Sequence, residues 1–275
     1  MNRQLIRVLA VDVDGTLLDS SHYLRADVRD ALGQLSASGV NIVLATARGP
    51  MALSDIVQKL SFSPLLVCFS GAWIGKLDAK SLTLTSVLLD KRIAASSARF
   101  ILASALAHNI EPNVFTPDTW RVRTTTNEIL AESQIVKSHP LIAPDLLGDD
   151  EEPSKIMLIT SKGEPAQVLR TIANSVQSLS TATFSKPNYL EIIAGGVNKA
   201  KALADLTKTL GVDLSQVAAL GDGENDVEML KEAGLGIAMG NASEHAKLAA
   251  DWLTGTNDEG GVAQAVRRLI ADGLV

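Results

Sequence analysis

Two aspartates one residue apart end an apolar run near the start of the chain. Asp12 and Asp14 lie in LAVDVDGTLLDS, and the run IRVLAVD that leads into them is aliphatic and β-branched. Such a run is typical of a strand buried on both faces, so the carboxylates fall where that strand ends. Carboxylates crowded at a buried point repel each other, and a hard divalent cation relieves that repulsion. The segment therefore predicts an acidic site for an ion such as Mg²⁺.

Other predicted strands also end in polar residues. Thr46 ends the run VNIVLAT, and Lys199 opens a predicted helix later in the chain. The segment QVAALGDGEND places four polar side chains after a further strand: Asp222, Glu224, Asn225 and Asp226. Open α/β sheets place their sites beyond the carboxyl ends of the strands. If these strands are neighbours, all of these residues converge on one cleft.

A phosphoryl group fits this set of residues. Lys199 and the hydroxyl of Thr46 can hold its peripheral oxygens, and phosphoryl transfer needs positioning and charge neutralisation above all. One aspartate can attack phosphorus and form an aspartyl-phosphate, while the second protonates the leaving oxygen. Gly15 permits a sharp turn that brings backbone N–H groups to the phosphate.

The composition excludes several classes of function. The 275-residue chain carries a net charge of −6, and phosphate-backbone binding needs a basic face, so we expect no nucleic-acid partner. The single cysteine, Cys68, excludes an intrachain disulfide and a cysteine-rich zinc site. No apolar run of 18 residues predicts a membrane span, and acids interrupt the first apolar run, which argues against a signal peptide. We therefore expect a cytoplasmic protein with no membrane partner, and no pattern indicates its oligomeric state.

Strand and helix signals alternate at both ends of the chain, whereas paired strand-like runs with helices between them fill the middle. Alternation predicts a parallel sheet with right-handed crossovers, and close pairs of runs predict antiparallel pairing. We therefore predict an α/β fold with a Rossmann-like parallel sheet core from residues 1–72 and 194–275. An α+β domain is inserted at 73–193, and its acidic, proline-containing segment 138–154 is expected to be an exposed loop.

Four motifs resemble those of the haloacid dehalogenase (HAD) superfamily of phosphatases and occur in the same order. They are DVDGT at 12–16, LAT ending at Thr46, Lys199 in GVNKAKAL, and GDGENDVEM at 221–229. The insertion between the second and third motifs resembles the C2B cap of the Cof-like branch, with KIMLI and YLEIIAGGVNKAKAL similar to its cap strand and its return to the core. The resemblance implies a HAD-like core with a substrate-specificity cap at 73–193. It also implies Mg²⁺-dependent hydrolysis of a small phosphorylated metabolite, such as a sugar phosphate or a phosphorylated cofactor, through an aspartyl-phosphate.

The resemblance also implies a role for each motif residue. Asp12 would be the nucleophile and a metal ligand, and Asp14 the general acid/base and a ligand through its backbone carbonyl. Thr46 and Lys199 would be catalytic residues that bind the phosphoryl oxygens. Phosphate would also be bound by the backbone N–H of Val13, by Ala47 and by the side chain of Asn225. Asp222 would complete the metal site, with Asp226 nearby.

The sequence departs from the family pattern at three positions. Ala47 and Ala200 stand where the family often has glycine, and Ser70 replaces the asparagine of the turn that enters the cap.

Two alternative functions remain open. The same fold would also suit a phosphotransferase or phosphomutase, in which the aspartyl-phosphate passes to another hydroxyl. A non-catalytic binding or regulatory protein is the third possibility, although it need not keep both a nucleophile and an acid.

Overall fold

The structure is a computed structural model that describes residues 5–60, 62–161 and 166–275. These residues form two compact units. The first unit holds the chain up to Ala47 together with Ser54–Leu88 and Asn198–Val275. The second unit holds Arg48–Leu53 and Leu89–Val197. Within the described ranges, no helix is both long and apolar enough to cross a lipid bilayer.

Strands and helices follow one another along the whole chain. The first part contains β1 (Val8–Asp12), α1 (Ala26–Ala37), β2 (Asn41–Ala45), a 3₁₀ helix (Pro50–Leu53), α2 (Ser54–Lys59), β3 (Leu65–Cys68), a 3₁₀ helix (Phe69–Gly71), β4 (Trp73–Leu77) and β5 (Leu84–Asp90). The middle contains α3 (Ala95–Ala107), β6 (Pro112–Phe115), β7 (Trp120–Val122), α4 (Asn127–Val136), β8 (Leu141–Ile142), β9 (Lys155–Ile159), α5 (Ala166–Val176), β10 (Ser180–Lys186) and β11 (Tyr189–Ala194). The last part contains α6 (Lys199–Leu210), a 3₁₀ helix (Leu214–Gln216), β12 (Val217–Gly221), a 3₁₀ helix (Glu224–Asp226), α7 (Val227–Glu232), β13 (Leu235–Ala238), α8 (Glu244–Ala249), β14 (Trp252–Leu253) and α9 (Gly261–Ala271).

A mostly parallel sheet forms the centre of the first unit. Among the described residues its strand order is β14-β13-β12-β1-β2-β3-β4-β5. The neighbours from β14 through β3 are parallel, and β3 pairs antiparallel with β4. Every residue of β1 and β12 is buried, as expected for strands covered on both faces. The predicted α/β fold with a parallel core is confirmed.

The boundaries of the units differ from those predicted for the insertion, 73–193. Residues 73–88 belong to the first unit because β4 and β5 extend its sheet. The chain reverses between β3 and β4 through Gly71, whose φ is 104°. A Cβ on Gly71 would lie 2.4 Å from the backbone oxygen of Asn198, so the turn requires glycine. The second unit ends at Val197.

A second sheet forms the second unit, with the strand order β10-β11-β9-β6-β7-β8. Its pairs are antiparallel except β7 with β8. Buried side chains of α3 and α5 pack with those of β6, β9 and β11 into one apolar core. The segment 138–154 is less loop-like than expected, because it contributes β8 and because Leu146 is buried in that core.

Candidate active site

A buried lysine joins two carboxylates at the carboxyl edge of the first sheet. Lys199 begins α6, and its Nζ donates to Oδ1 of Asp12 at 2.6 Å and to Oδ1 of Asp226 at 2.7 Å. Asp12 is the last residue of β1, in the middle of the sheet, and Asp226 follows β12. The Lys199 side chain is only 1% exposed. At this degree of burial, the charges of Lys199, Asp12 and Asp226 are stabilised mainly by one another and not by water.

The loop after β12 is built around Asp226. Its Oδ2 accepts hydrogen bonds from the N–H of Asp222 at 3.1 Å and from the N–H of Gly223 at 2.9 Å. A Cβ on Gly221 would lie 2.5 Å from Cβ of Asp226, so only glycine lets the strand end this close to that side chain. Asp226 therefore holds the backbone that presents Asp222, in addition to pairing with Lys199.

The turn after β1 brings Thr16 and Gly15 against Asp222. The hydroxyl of Thr16 donates to Oδ1 of Asp222 at 3.0 Å. Gly15 has a φ of 82°, and a Cβ on it would lie 2.3 Å from Oδ2 of the same carboxylate. The segment DGT thus supplies both a donor to Asp222 and the space for it.

The buried Asp12 and Asp226 and the half-buried Asp222 form a cluster with an excess of negative charge. Carboxylate oxygens of Asp12, Asp222 and Asp226 all lie within 4.8 Å of one another. Burial first, and then repulsion from Asp226, raises the pKa of the Asp12 carboxyl well above its ordinary value, against the attraction of Lys199. The same two causes raise the pKa of Asp222 to about 6, although the hydrogen bond from Thr16 lowers it.

One ammonium group does not neutralise this cluster. Burial by itself lowers the pKa of Lys199, but Asp12 and Asp226 outweigh that effect and raise it above its ordinary value, so the lysine stays charged. With all three carboxylates in their charged form, as metal ligands require, one ammonium would leave two uncompensated negative charges. Oxygen donors with that charge suit a hard divalent cation. The residues present therefore fit a metal site.

Asp14 has a different environment from Asp12. Its side chain is 43% exposed, and its Oδ1 lies 3.7 Å from Nδ1 of His22. The group of close carboxylates among the described residues does not include it. Val13, between the two aspartates, is buried. Because β1 ends at Asp12, Asp14 lies in the turn beyond the strand, where its side chain is accessible. That position suits an acid/base more than a metal ligand through its side chain.

The other predicted site residues lie at the same edge of the sheet. Asp12 pairs in register with Ala45, so Thr46 follows beside it. Thr46 is buried, its N–H donates to the Val67 backbone oxygen at 2.8 Å, and Ala47 follows it half-buried. Asn225 lies on the 3₁₀ helix after β12 and is half-buried.

Three residues of the site make contacts that the sequence did not predict. Asp226 was expected only near the metal, yet it organises both Lys199 and the loop of Asp222. Thr16 had a usable signal, since a hydroxyl directly after Asp-Gly can donate to a neighbouring carboxylate. Asn241 had none: its Nδ2 donates to the backbone oxygen of Gly15 at 2.8 Å across 226 positions of sequence.

Comparisons with known proteins identify the family. A family model described as haloacid dehalogenase-like hydrolase matches residues 9–266. The chain is 30% identical over 265 residues to the 5-amino-6-(5-phospho-D-ribitylamino)uracil phosphatase YcsE of Bacillus subtilis. The aligned region covers 96% of each protein. A haloacid dehalogenase-like hydrolase from Bacteroides thetaiotaomicron has a TM-score of 0.85 and 25% identity, covering 96% of this chain and 99% of that one. A second such hydrolase, from B. subtilis, has a TM-score of 0.84 and 27% identity, covering 96% and 100%. The chain therefore belongs to the haloacid dehalogenase-like hydrolases, and it is a phosphatase.

Proposed function

We propose that this phosphatase is a Mg²⁺-dependent phosphomonoesterase that forms an aspartyl-phosphate on Asp12. The observation that carries the proposal is the buried contact of Lys199 with both Asp12 and Asp226. It orients the Asp12 carboxylate through Oδ1 alone, at the end of a central strand. It also places a fixed positive charge beside the position that a phosphoryl group must reach, where charge neutralisation is worth most.

In the first half of the reaction, a carboxylate oxygen of Asp12 bonds to phosphorus as the bond to the leaving oxygen breaks. Asp14 donates its proton to that oxygen, and the alcohol departs. Lys199, the hydroxyl of Thr46 and the side chain of Asn225 hold the phosphoryl oxygens, together with the N–H groups of Val13 and Ala47. Because Asp14 is exposed, it can exchange protons with the substrate and with water.

In the second half, Asp14 accepts a proton from water as the water oxygen attacks phosphorus. The acyl-phosphate bond breaks, and Asp12 is released as a carboxylate with inorganic phosphate as the product. Asp12, the Asp14 backbone carbonyl and Asp222 would hold Mg²⁺, with Asp226 beside them. When bound, the ion would supply positive charge that keeps these carboxylates ionised and offsets the charge of the phosphate.

The test of the nucleophile is Asp12→Asn, compared with Asp205→Asn on the exposed surface of α6. Asp12→Asn should lower phosphate release by at least about a thousandfold, as expected for loss of a covalent catalyst, while Asp205→Asn should leave it unchanged. After rapid quenching, ³²P label on the wild type should be removed by hydroxylamine, as an acyl-phosphate is. Turnover of Asp12→Asn near the wild-type rate, or undiminished turnover in a chelator, would refute the proposal.

We further propose that the substrate is a small phosphorylated metabolite and that the inserted region, predicted at 73–193, selects it. The similarity to YcsE makes 5-amino-6-(5-phospho-D-ribitylamino)uracil one compound for a panel that also contains sugar phosphates and phosphorylated cofactors. A chimera that takes residues 89–197 from a relative with another substrate should take over that relative's preference. Hydrolysis of p-nitrophenyl phosphate by the chimera is the control for an intact core. An unchanged ranking of the panel would contradict this assignment.

A further inference from the structure

Two asparagines from the last part of the chain bind the turn that follows Asp14. Nδ2 of Asn241 donates to the backbone oxygen of Gly15 at 2.8 Å, and Nδ2 of Asn257 donates to the backbone oxygen of Leu18 at 2.9 Å. The backbone N–H of Asn257 donates to Oδ1 of Asn241 at 2.9 Å. The two amides therefore form one connected chain of hydrogen bonds that ends on both sides of this turn.

The loops that carry these asparagines are themselves anchored to the sheet. After β13, the N–H of Met239 donates to the Gly221 backbone oxygen at 3.1 Å, and the N–H of Gly240 donates to the Gly255 oxygen at 3.0 Å. The N–H of Ser243 donates to the Asp222 backbone oxygen at 2.8 Å. The loop 239–243 thus joins the end of β12 to the turn after β1. Asn257 is only 9% exposed, so its bond to the turn is protected from water.

The turn needs such support because Gly15 follows Asp14 directly. Gly15 has a φ of 82° and carries no side chain that restricts its rotation. Within the turn, the N–H of Leu17 donates to the Asp12 backbone oxygen at 3.1 Å, and the N–H of Leu18 donates to the Val13 oxygen at 3.0 Å. Neither of these bonds uses the carbonyl of Gly15, the residue that directly follows Asp14. Asn241 provides that missing restraint.

We propose that Asn241 and Asn257 are positioning residues that hold Asp14 in place for proton transfer to the leaving oxygen. This inference rests on the proposed function, in which Asp14 is the general acid. A general acid must lie within hydrogen-bond reach of its target, and a misplacement of about 1 Å can cost about a hundredfold in rate. The asparagines touch neither substrate nor metal in this mechanism. Their effect is transmitted through the backbone oxygens of Gly15 and Leu18.

The test compares substrates whose leaving groups differ in their need for a proton. An alkyl phosphate needs the acid, whereas p-nitrophenyl phosphate has a leaving group that departs with little protonation. The variants are Asn241→Asp and Asn257→Asp, which keep the size of the side chain and its acceptor oxygen but remove the donor. The quantity to measure is kcat/KM, because it reports the steps up to departure of the alcohol and not the later hydrolysis of the phosphoenzyme.

We expect each variant to lower kcat/KM for the alkyl phosphate by about ten- to a hundredfold and that for p-nitrophenyl phosphate by less than about threefold. Asn241→Ala should show the same pattern, because it removes the donor without adding a charge. Asn241 is exposed, so its variants are expected to fold even if the buried Asn257→Asp does not. The matched control is Asn41→Asp at the start of β2, at the other end of that strand from Thr46, which loses a bond from Nδ2 to the Arg7 backbone oxygen and should change neither value.

Asp14→Asn separates the two proposals. It should show the same dependence on the leaving group, but larger. Suppose that it does, but that the Asn241 variants lower kcat/KM equally for both substrates or for neither. The asparagines then do not position the acid, and this inference is wrong. If Asp14→Asn itself lowers kcat/KM equally for both substrates, the acid role in the proposed function is wrong.

Discussion

Replacing Asp222 by asparagine should stabilise the metal-free protein while removing its activity. The pKa of Asp222 rises from 3.8 to about 6 because burial and then repulsion from Asp226 penalise its charged form. Asparagine is neutral at every pH and keeps the acceptor oxygen that takes the Thr16 hydroxyl bond of 3.0 Å. The substitution therefore removes the electrostatic penalty with little change in packing.

The magnitude follows from linkage between the pKa and folding. The folded-state pKa of the Asp222 carboxyl is raised above its ordinary value of 3.8. The contribution of this group to the free energy of unfolding is therefore fully present below that value and is lost as the pH rises through about 6. Each pKa unit corresponds to about 1.36 kcal/mol, so a difference of roughly two units is worth about 3 kcal/mol. We expect Asp222→Asn to match the wild type at pH 4 and to exceed its free energy of unfolding by about 2–3 kcal/mol at pH 8.

Urea unfolding in a chelator at pH 4, 6 and 8 measures this difference directly. Asp205→Asn, which changes an exposed carboxylate on α6, is the control and should not gain stability at pH 8. Added Mg²⁺ should stabilise the wild type more than the variant, because the variant lacks one charged ligand. Equal or lower stability of Asp222→Asn at pH 8 in the chelator would refute the view of the cluster as an uncompensated negative site.

Three further substitutions test the same structure. Lys199→Met leaves its two carboxylate partners buried without a counter-charge, so in a chelator it should lose about 3–5 kcal/mol of stability and at least about a thousandfold in kcat. Gly15→Ala places a Cβ 2.3 Å from Asp222 at a φ of 82° and should lower kcat at least about tenfold and weaken Mg²⁺ binding by titration. Glu151→Gln should lower the free energy of unfolding in urea by about 1 kcal/mol at pH 7. Arg121 holds the pKa of the Glu151 carboxyl below its ordinary value of 4.5, so the difference should vanish as the pH falls below 4.5.

Each of these variants has a matched control. Lys201→Met changes an exposed lysine on the same helix and should retain activity. Gly39→Ala has a comparable φ of 91° but nothing within 4 Å of its new Cβ, so it should show backbone strain without loss of metal binding. Glu152→Gln changes an exposed neighbour of Glu151. A control that behaves like its partner variant would show that the contact named for that variant is not the cause.

The sequence by itself predicted the parallel core and the residues that could do its chemistry. Both predictions rest on local signals: continuous apolar runs such as IRVLAVD indicate buried strands, and polar residues directly after such runs indicate a site at their carboxyl ends. Asp12 ends β1 and Thr46 follows β2 for that reason, and the register of the two strands places them side by side. The antiparallel second sheet was likewise indicated by its closely spaced strand-like runs.

Only the tertiary structure decided how the charges are shared and where the units divide. Asp226 is paired with Lys199 across 27 positions, and Asn241 with Gly15 across 226, and no local pattern encodes contacts of that separation. The place of residues 73–88 was also decided by tertiary structure. The turn at Gly71 reverses the chain, and the strands that follow it extend the first sheet. The motif predicted an acidic metal site, but burial and neighbouring charge exist only after folding, so the raised pKa of Asp222 belongs to the structure and not to the motif.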